Sequence, residues 1–113
     1  MSDILQKLEQ VLQQRKSAKA DESYAASLYA KGLDEILKKI GEESAEVIMA
    51  AKDMQKYSEK HSGEAEVIKE VADLWFHILV LLRFSDIEIA KIEAELSKRF
   101  GLSGLEEKAN RGK

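Results

Sequence analysis

Apolar residues recur at intervals of three and four along almost the whole of this 113-residue chain, and no proline interrupts them. With 3.6 residues to a helical turn, that spacing lines apolar side chains up on one face of a helix. A proline inside such a run would break it, and none is present to do so. No stretch shows the strict alternation of a half-buried strand. The expected fold is therefore all-α, a bundle of four to five helices.

The first helix is expected from about Ser2 to Lys19, with Ser2 as N-cap and Ile4, Leu5, Leu8, Val11 and Leu12 on its stripe. "KADES" (19–23) interrupts the pattern. Ser23 then caps a short helix through "YAASLYA", which Gly32 ends. A long helix follows from about Leu33 to Tyr57, burying Leu33, Ile36, Leu37, Ile40, Val47, Ile48, Ala51 and Met54. After the connection "SEKHSGEAE", a further helix is expected from about Glu64 to Phe84. Its centre, "VADLWFHILVLL", is apolar nearly all round, which marks a helix enclosed by others. Ser85 to Glu88, "SDIE", reads as a capping box opening the last helix, with Ile89, Ile92, Leu96 and Phe100 as its stripe and Gly101 as its stop.

The length fits one domain, residues 1–113. There is no cysteine, hence no disulfide framework and no thiolate metal site, which suits the cytoplasm. A net charge of -3 offers no basic field for nucleic acid. No secretory signal is visible, and the longest apolar run, Leu74 to Leu82, is broken by His77 and far short of the ~20 residues that cross a bilayer. A helix apolar on all sides needs more cover than its neighbours in a small chain provide, so a homodimer is expected.

"KIGEESAEVIMAAK" (39–52) sets Glu42, Glu43 and Glu46 close together in a helix that must bury one face. Like charges one turn apart repel by a few tenths of a kcal/mol per pair. On the next helix Glu66, Glu70, Asp73 and His77 form a strip beside the apolar run. An antiparallel pairing of the two helices brings Glu43 and Glu46 opposite Glu70 and Asp73. An ionised carboxylate in an apolar setting costs several kcal/mol unless paired or metal-bound. Four carboxylates cannot neutralise one another, whereas a divalent cation can. An all-oxygen ligand set suits Mg²⁺ or Mn²⁺. Di-iron bundles use Glu-x-x-His pairs, and neither His61 nor His77 has a Glu three residues before it. The competing reading is a solvated face, with Lys38 and Lys39 pairing Glu42 and Glu43 one turn on. That reading suits Glu42 but does not explain Glu70 and Asp73 beside an enclosed run.

Three blocks, "SYAASLYAKGLDEILKKIGEESAEVIMAAK", "EVADLWFHILVLL" and "RFGLSGLEEKANR", resemble in order those of the phosphoribosyl-ATP pyrophosphohydrolases, a family of the all-α MazG-like superfamily. The resemblance spans about Leu5 to Arg111. It implies hydrolysis of phosphoribosyl-ATP between its α and β phosphates, giving phosphoribosyl-AMP and pyrophosphate in the second step of histidine biosynthesis. It also implies Mg²⁺ and a homodimer. The matching positions imply Glu43, Glu46, Glu70 and Asp73 as metal ligands, with Glu42 at the margin as ligand or water-orienting base; Glu42 and Glu46 are the candidates for the carboxylate that orients or deprotonates the attacking water. Candidate cations for the phosphates or ribose are Lys31, Lys39, Arg15, Arg99, Lys108 and Arg111. One departure is visible: the family's Asp-Leu-Leu-Tyr-His is "DLWFH" here, so no tyrosine hydroxyl stands at Phe76. His77 is read as a core histidine or as a support for Asp73 or Glu70, and Tyr24 as a packing residue or one facing the nucleotide. Two rival functions remain at this point, a house-cleaning nucleoside triphosphate pyrophosphatase and a non-enzymatic helical adaptor.

Overall fold

The computed structural model describes residues 3–56 and 60–100, which form α1 (Asp3–Arg15), α2 (Tyr24–Lys31), α3 (Leu33–Lys56), α4 (Lys60–Phe84) and α5 (Ile89–Lys98). Among the described residues there is no strand. Two of the expected stop and start signals act as read. Ser23 Oγ accepts from the Ala26 amide at 2.9 Å and opens α2. Gly32 closes it at φ +97°, a backbone region that side chains rarely adopt, and α3 starts at the next residue.

Helices α3 and α4 make the principal contact of the fold, an antiparallel hairpin. Near its closed end Met54 meets Gly63 so closely that a Cβ at 63 would lie 2.7 Å from Met54 Cγ and 2.8 Å from its Cα. Gly63 therefore serves helix–helix approach and not chain reversal. It lies inside the first turn of α4, which opens at Lys60, ahead of the expected Glu64. About two turns along the hairpin from this contact, Glu46 faces Glu70.

Helices α1, α2 and α5 cover the open end of the hairpin. The core there is Leu12, Ala25, Leu28, Ile36, Leu79, Val80 and Ile89, to which every helix contributes. Four of these, Leu12, Leu28, Ile36 and Val80, are almost wholly buried. Burial of each such side chain contributes roughly 1.5–3 kcal/mol. Helix α1 ends at Arg15 and not at Lys19. The chain leaves it through i→i+3 hydrogen bonds from the amides of Lys16, Ser17 and Ala18.

The expected capping box at Ser85 does not form. Helix α4 ends in a Schellman turn: the Ile87 amide donates to the Leu82 carbonyl at 2.8 Å, the Asp86 amide to Arg83 at 3.2 Å, and Asp86 takes φ +56°. The next helix starts only at Ile89, and its N-cap, Glu88, makes no side-chain cap bond. Its first amide is instead taken by Glu9 of α1, whose Oε2 accepts from Ile89 N at 2.7 Å. Arg83 completes this bracket. It stands 3.4 Å from Glu9 Oε2 and donates to Gln13 Oε1 at 3.0 Å and to the Ile87 carbonyl at 2.7 Å.

The expected enclosure of α4 is only half met by this chain. Leu79 and Val80 are buried, but Trp75 is 49% exposed and Ile68 60%. On α3, Leu33, Leu37 and Ile48 are exposed despite their place on the apolar stripe, as are Ile92 and Leu96 on α5; Phe100, expected on that last stripe, lies past the helix, which ends at Lys98, and is exposed as well. Helical periodicity fixed which residues share a face, while the five described helices do not cover every such face.

Candidate active site

Helix α3 places Glu43 and Glu46 one turn apart, and α4 presents Glu70 across from them. One oxygen from each of the three lies within 4.8 Å of the others. Glu43 and Glu70 are buried, and Glu46 is the more open of the set. Glu43 Oε2 and Glu70 Oε2 are shut off from solvent with no hydrogen-bond partner. Orphaned buried carboxylate oxygens are rare and costly. Two of them converging with a third carboxylate fit a divalent cation bound by oxygen.

The electrostatics carry the same message. Glu70 is pushed up to about 7, first by its hydrogen bond with Glu46 and then by desolvation. Glu43 is also raised, chiefly by desolvation and then by Glu46. Glu46 is lowered, because Glu70 and Glu43 hydrogen-bond to its charged form. Without a cation, a proton shared between helices takes over part of the neutralising role.

Asp73, expected as a fourth ligand, is half-buried and lies outside the group whose oxygens converge. It is still near enough for its charge to raise both Glu43 and Glu70. The Asp73 carbonyl stands 2.7 Å from His77 Nδ1, so the buried His77 supports the backbone at Asp73 and not a carboxylate. His77 Nε2 is 2.8 Å from the Tyr24 hydroxyl, a link between α2 and α4 that no sequence spacing announces. Desolvation, partly offset by Lys39, raises the Tyr24 pKa, so the phenol keeps its proton at neutral pH.

Of the candidate cations, Lys39 is at the site, 3.1 Å from Glu42 Oε2 and 3.7 Å from Glu43 Oε1. The hydrogen bond to Glu42 raises its pKa and keeps it charged. Glu42 itself stays outside the cluster, with its side chain 46% exposed. Lys31 and Arg15 are exposed at the last turns of α2 and α1. Arg99 pairs with Glu95 at 3.4 Å. Lys108 and Arg111 lie outside the described residues.

An acidic recess of about 180 Å³ adjoins the cluster, lined by Glu46, Met49, Ala50, Asp53, Glu66 and Glu70. Asp53 was not singled out from the sequence. Its signal was the spacing from Glu46, two turns along the same helix face.

Residues 5–100 match the family described as Phosphoribosyl-ATP pyrophosphohydrolase. The chain is 68% identical to the phosphoribosyl-ATP pyrophosphatase of Ruthia magnifica subsp. Calyptogena magnifica, over 98% of both chains. It is 65% identical to that of Vesicomyosocius okutanii subsp. Calyptogena okutanii (strain HA), again over 98% of both. It is 50% identical to the enzyme of that name from Geobacter metallireducens (strain ATCC 53774 / DSM 7210 / GS-15), over 98% of this chain and 94% of the relative. A helical hairpin that converges three carboxylates, and a match of this extent, carry one conclusion: the chain belongs to the phosphoribosyl-ATP pyrophosphohydrolase family.

Proposed function

We propose that this chain hydrolyses phosphoribosyl-ATP to phosphoribosyl-AMP and pyrophosphate, the second step of histidine biosynthesis, with Mg²⁺ held by Glu43, Glu46 and Glu70 and with Asp73 completing the shell. The observation that carries the site is the pair of buried, unpartnered oxygens on Glu43 and Glu70 beside Glu46. Mn²⁺ suits the same donors. Bound there, a divalent ion supplies charge neutralisation to the phosphate oxygens of the scissile anhydride. Phosphoryl transfer asks positioning and electrostatics of the protein more than covalent chemistry. Lys39 stands at the rim of the cluster, where incoming phosphate oxygens compete with Glu42 for its ammonium. Once released from Lys39, Glu42 orients the attacking water and takes its proton; Glu46, as the ionised member of the cluster, is the alternative base. Lys31, Arg15, Arg99, Lys108 and Arg111 supply further cationic contacts to phosphates and ribose.

The single domain 1–113 works as a homodimer in the cytoplasm. Supporting the dimer is an apolar hollow of about 250 Å³ between α1, α4 and α5, with Trp75, Ile78, Ile92 and Leu96 all exposed around it. Trp75→Lys is expected to shift the sedimentation mass from dimer to monomer. An unchanged mass would remove this face from the interface. No helix among the described residues is long and apolar enough to cross a membrane.

Phosphate products from phosphoribosyl-ATP and from ordinary nucleoside triphosphates test the reaction. Pyrophosphate is expected from the first substrate only, and its release is expected to disappear in Glu46→Gln. Equal release from ordinary triphosphates would favour the house-cleaning alternative.

A further inference from the structure

Tyr24 is restrained more tightly than an exposed residue needs to be. It is 50% exposed at the first turn of α2, yet held from several directions. Its hydroxyl is 2.8 Å from His77 Nε2. Its ring stacks on Phe76 at 6.1 Å between centroids and 24° between planes. The His77 ring meets it edge-on at 5.6 Å and 80°. His77 is buried, and its Nδ1 faces the Asp73 carbonyl, which can only accept. Nδ1 therefore carries the hydrogen in the neutral ring, and Nε2 accepts from the Tyr24 hydroxyl. Phe76 and His77 pack against the ring from the protein side, and half of the residue stays open on its outer side.

We propose that this outer ring face is the surface on which the purine base of the nucleotide stacks, with His77 and Phe76 as its positioning residues. The placement follows from what surrounds it. His77, which holds the Tyr24 hydroxyl, stands one turn from Asp73 with its Nδ1 2.7 Å from the Asp73 carbonyl, and Lys39, Glu43, Glu35 and Glu42 are near enough for their charges to act on that hydroxyl. A base seated on Tyr24 thus has its phosphate chain beside Lys39 and the carboxylates. A ring already fixed by a hydrogen bond and a stack loses little freedom on binding, so more of the stacking energy reaches the affinity. The inference rests on the phosphate site proposed above and adds a base subsite to it.

Calorimetry with ATP and with inorganic tripolyphosphate, each with Mg²⁺, separates the two ideas. Tyr24→Leu is expected to weaken ATP roughly tenfold, within the range for loss of one base–aromatic stack, and to leave tripolyphosphate affinity within about twofold. Tyr24→Phe keeps the ring and should hold ATP within about threefold of wild type. Tyr24→Trp, which widens the platform, should hold or tighten ATP relative to tripolyphosphate, and this serves if the leucine variant fails to fold. Equal weakening of both ligands in Tyr24→Leu, or preferential loss of ATP in Tyr24→Trp, overturns the base subsite. Wild-type protein that binds neither ligand overturns the phosphate site, and the base subsite with it.

Discussion

Two glutamate sites in this protein are built in opposite ways. Glu9 sits in a bracket where every charge finds a partner: its oxygen caps Ile89, Arg83 stands beside it, and Arg83 in turn ties down Gln13 and the Ile87 carbonyl. Glu43, Glu46 and Glu70 face one another, and two of their oxygens have no partner at all. The first arrangement joins α1, α4 and α5 by pairing opposite charges, and leaves only Arg83 Nε without a hydrogen-bond partner. The second crowds like charges, which is unfavourable as a piece of structure unless a proton or a cation is taken up there. A satisfied buried charge thus marks architecture, and an orphaned cluster of like charges marks a ligand site.

Breaking the second site should cost function before stability. Glu46→Gln is expected to weaken Mg²⁺ binding in calorimetry by roughly a hundredfold or more, with a melting temperature no lower than wild type. A normal binding isotherm would remove Glu46 from the ligand set. Breaking the bracket should do the reverse. Arg83→Met leaves Glu9 without its cation and strips donors from Gln13 and Ile87. The pair is partly open to solvent, so the expected loss is about 2–3 kcal/mol in denaturant unfolding, with Mg²⁺ affinity retained. Wild-type stability in that variant would end the contrast between the sites.

A smaller effect of opposite sign sharpens the comparison. Glu43→Gln removes one of the crowded like charges and should raise the metal-free melting temperature by about 2–5 °C while lowering Mg²⁺ affinity. A fall in melting temperature would show that Glu43 is a structural partner after all. The smallest effect concerns pH. The hydrogen bond with Glu46 and desolvation raise Glu70 to about 7. The folded protein therefore holds a proton that the unfolded chain releases near the ordinary carboxylate range. The stability from that proton is fully present below the unfolded pKa and is lost as pH rises through about 7. Metal-free melting temperature should accordingly fall from about pH 5 to about pH 8, and added Mg²⁺ should stabilise more at the higher pH. An Mg²⁺ effect independent of pH would contradict the shared proton.

Much of this was legible from local pattern. Ser23, Gly32 and the stripe of α3 act through residues within a turn or two of themselves, and the crowding of Glu42, Glu43 and Glu46 in a helix that must bury one face already marked the acidic site. Other features were not legible because a distant residue outbid a local one. "SDIE" has the form of a capping box, yet its Ser85, Asp86 and Ile87 amides are taken up by the turn that ends α4, and Glu9, far away in sequence, accepts from the first amide of α5. Gly63 resembles a breaker until Met54 is seen pressed against it. Asp73 keeps the Glu-x-x-Asp spacing, but spacing does not say whose oxygens converge, and those of Glu43, Glu46 and Glu70 do.

By itself the chain determined its helices, their buried faces and the acidic residues those faces would carry, because a helix has one short period and every residue on it obeys that period. Tertiary structure alone decided which carboxylates share a space, that Arg83 and Glu9 hold the α4–α5 turn, and that Tyr24 meets His77. These depend on the axial offset of one helix against another. That offset is set by contacts such as Met54 on Gly63, which belong to the packed pair and to neither helix alone.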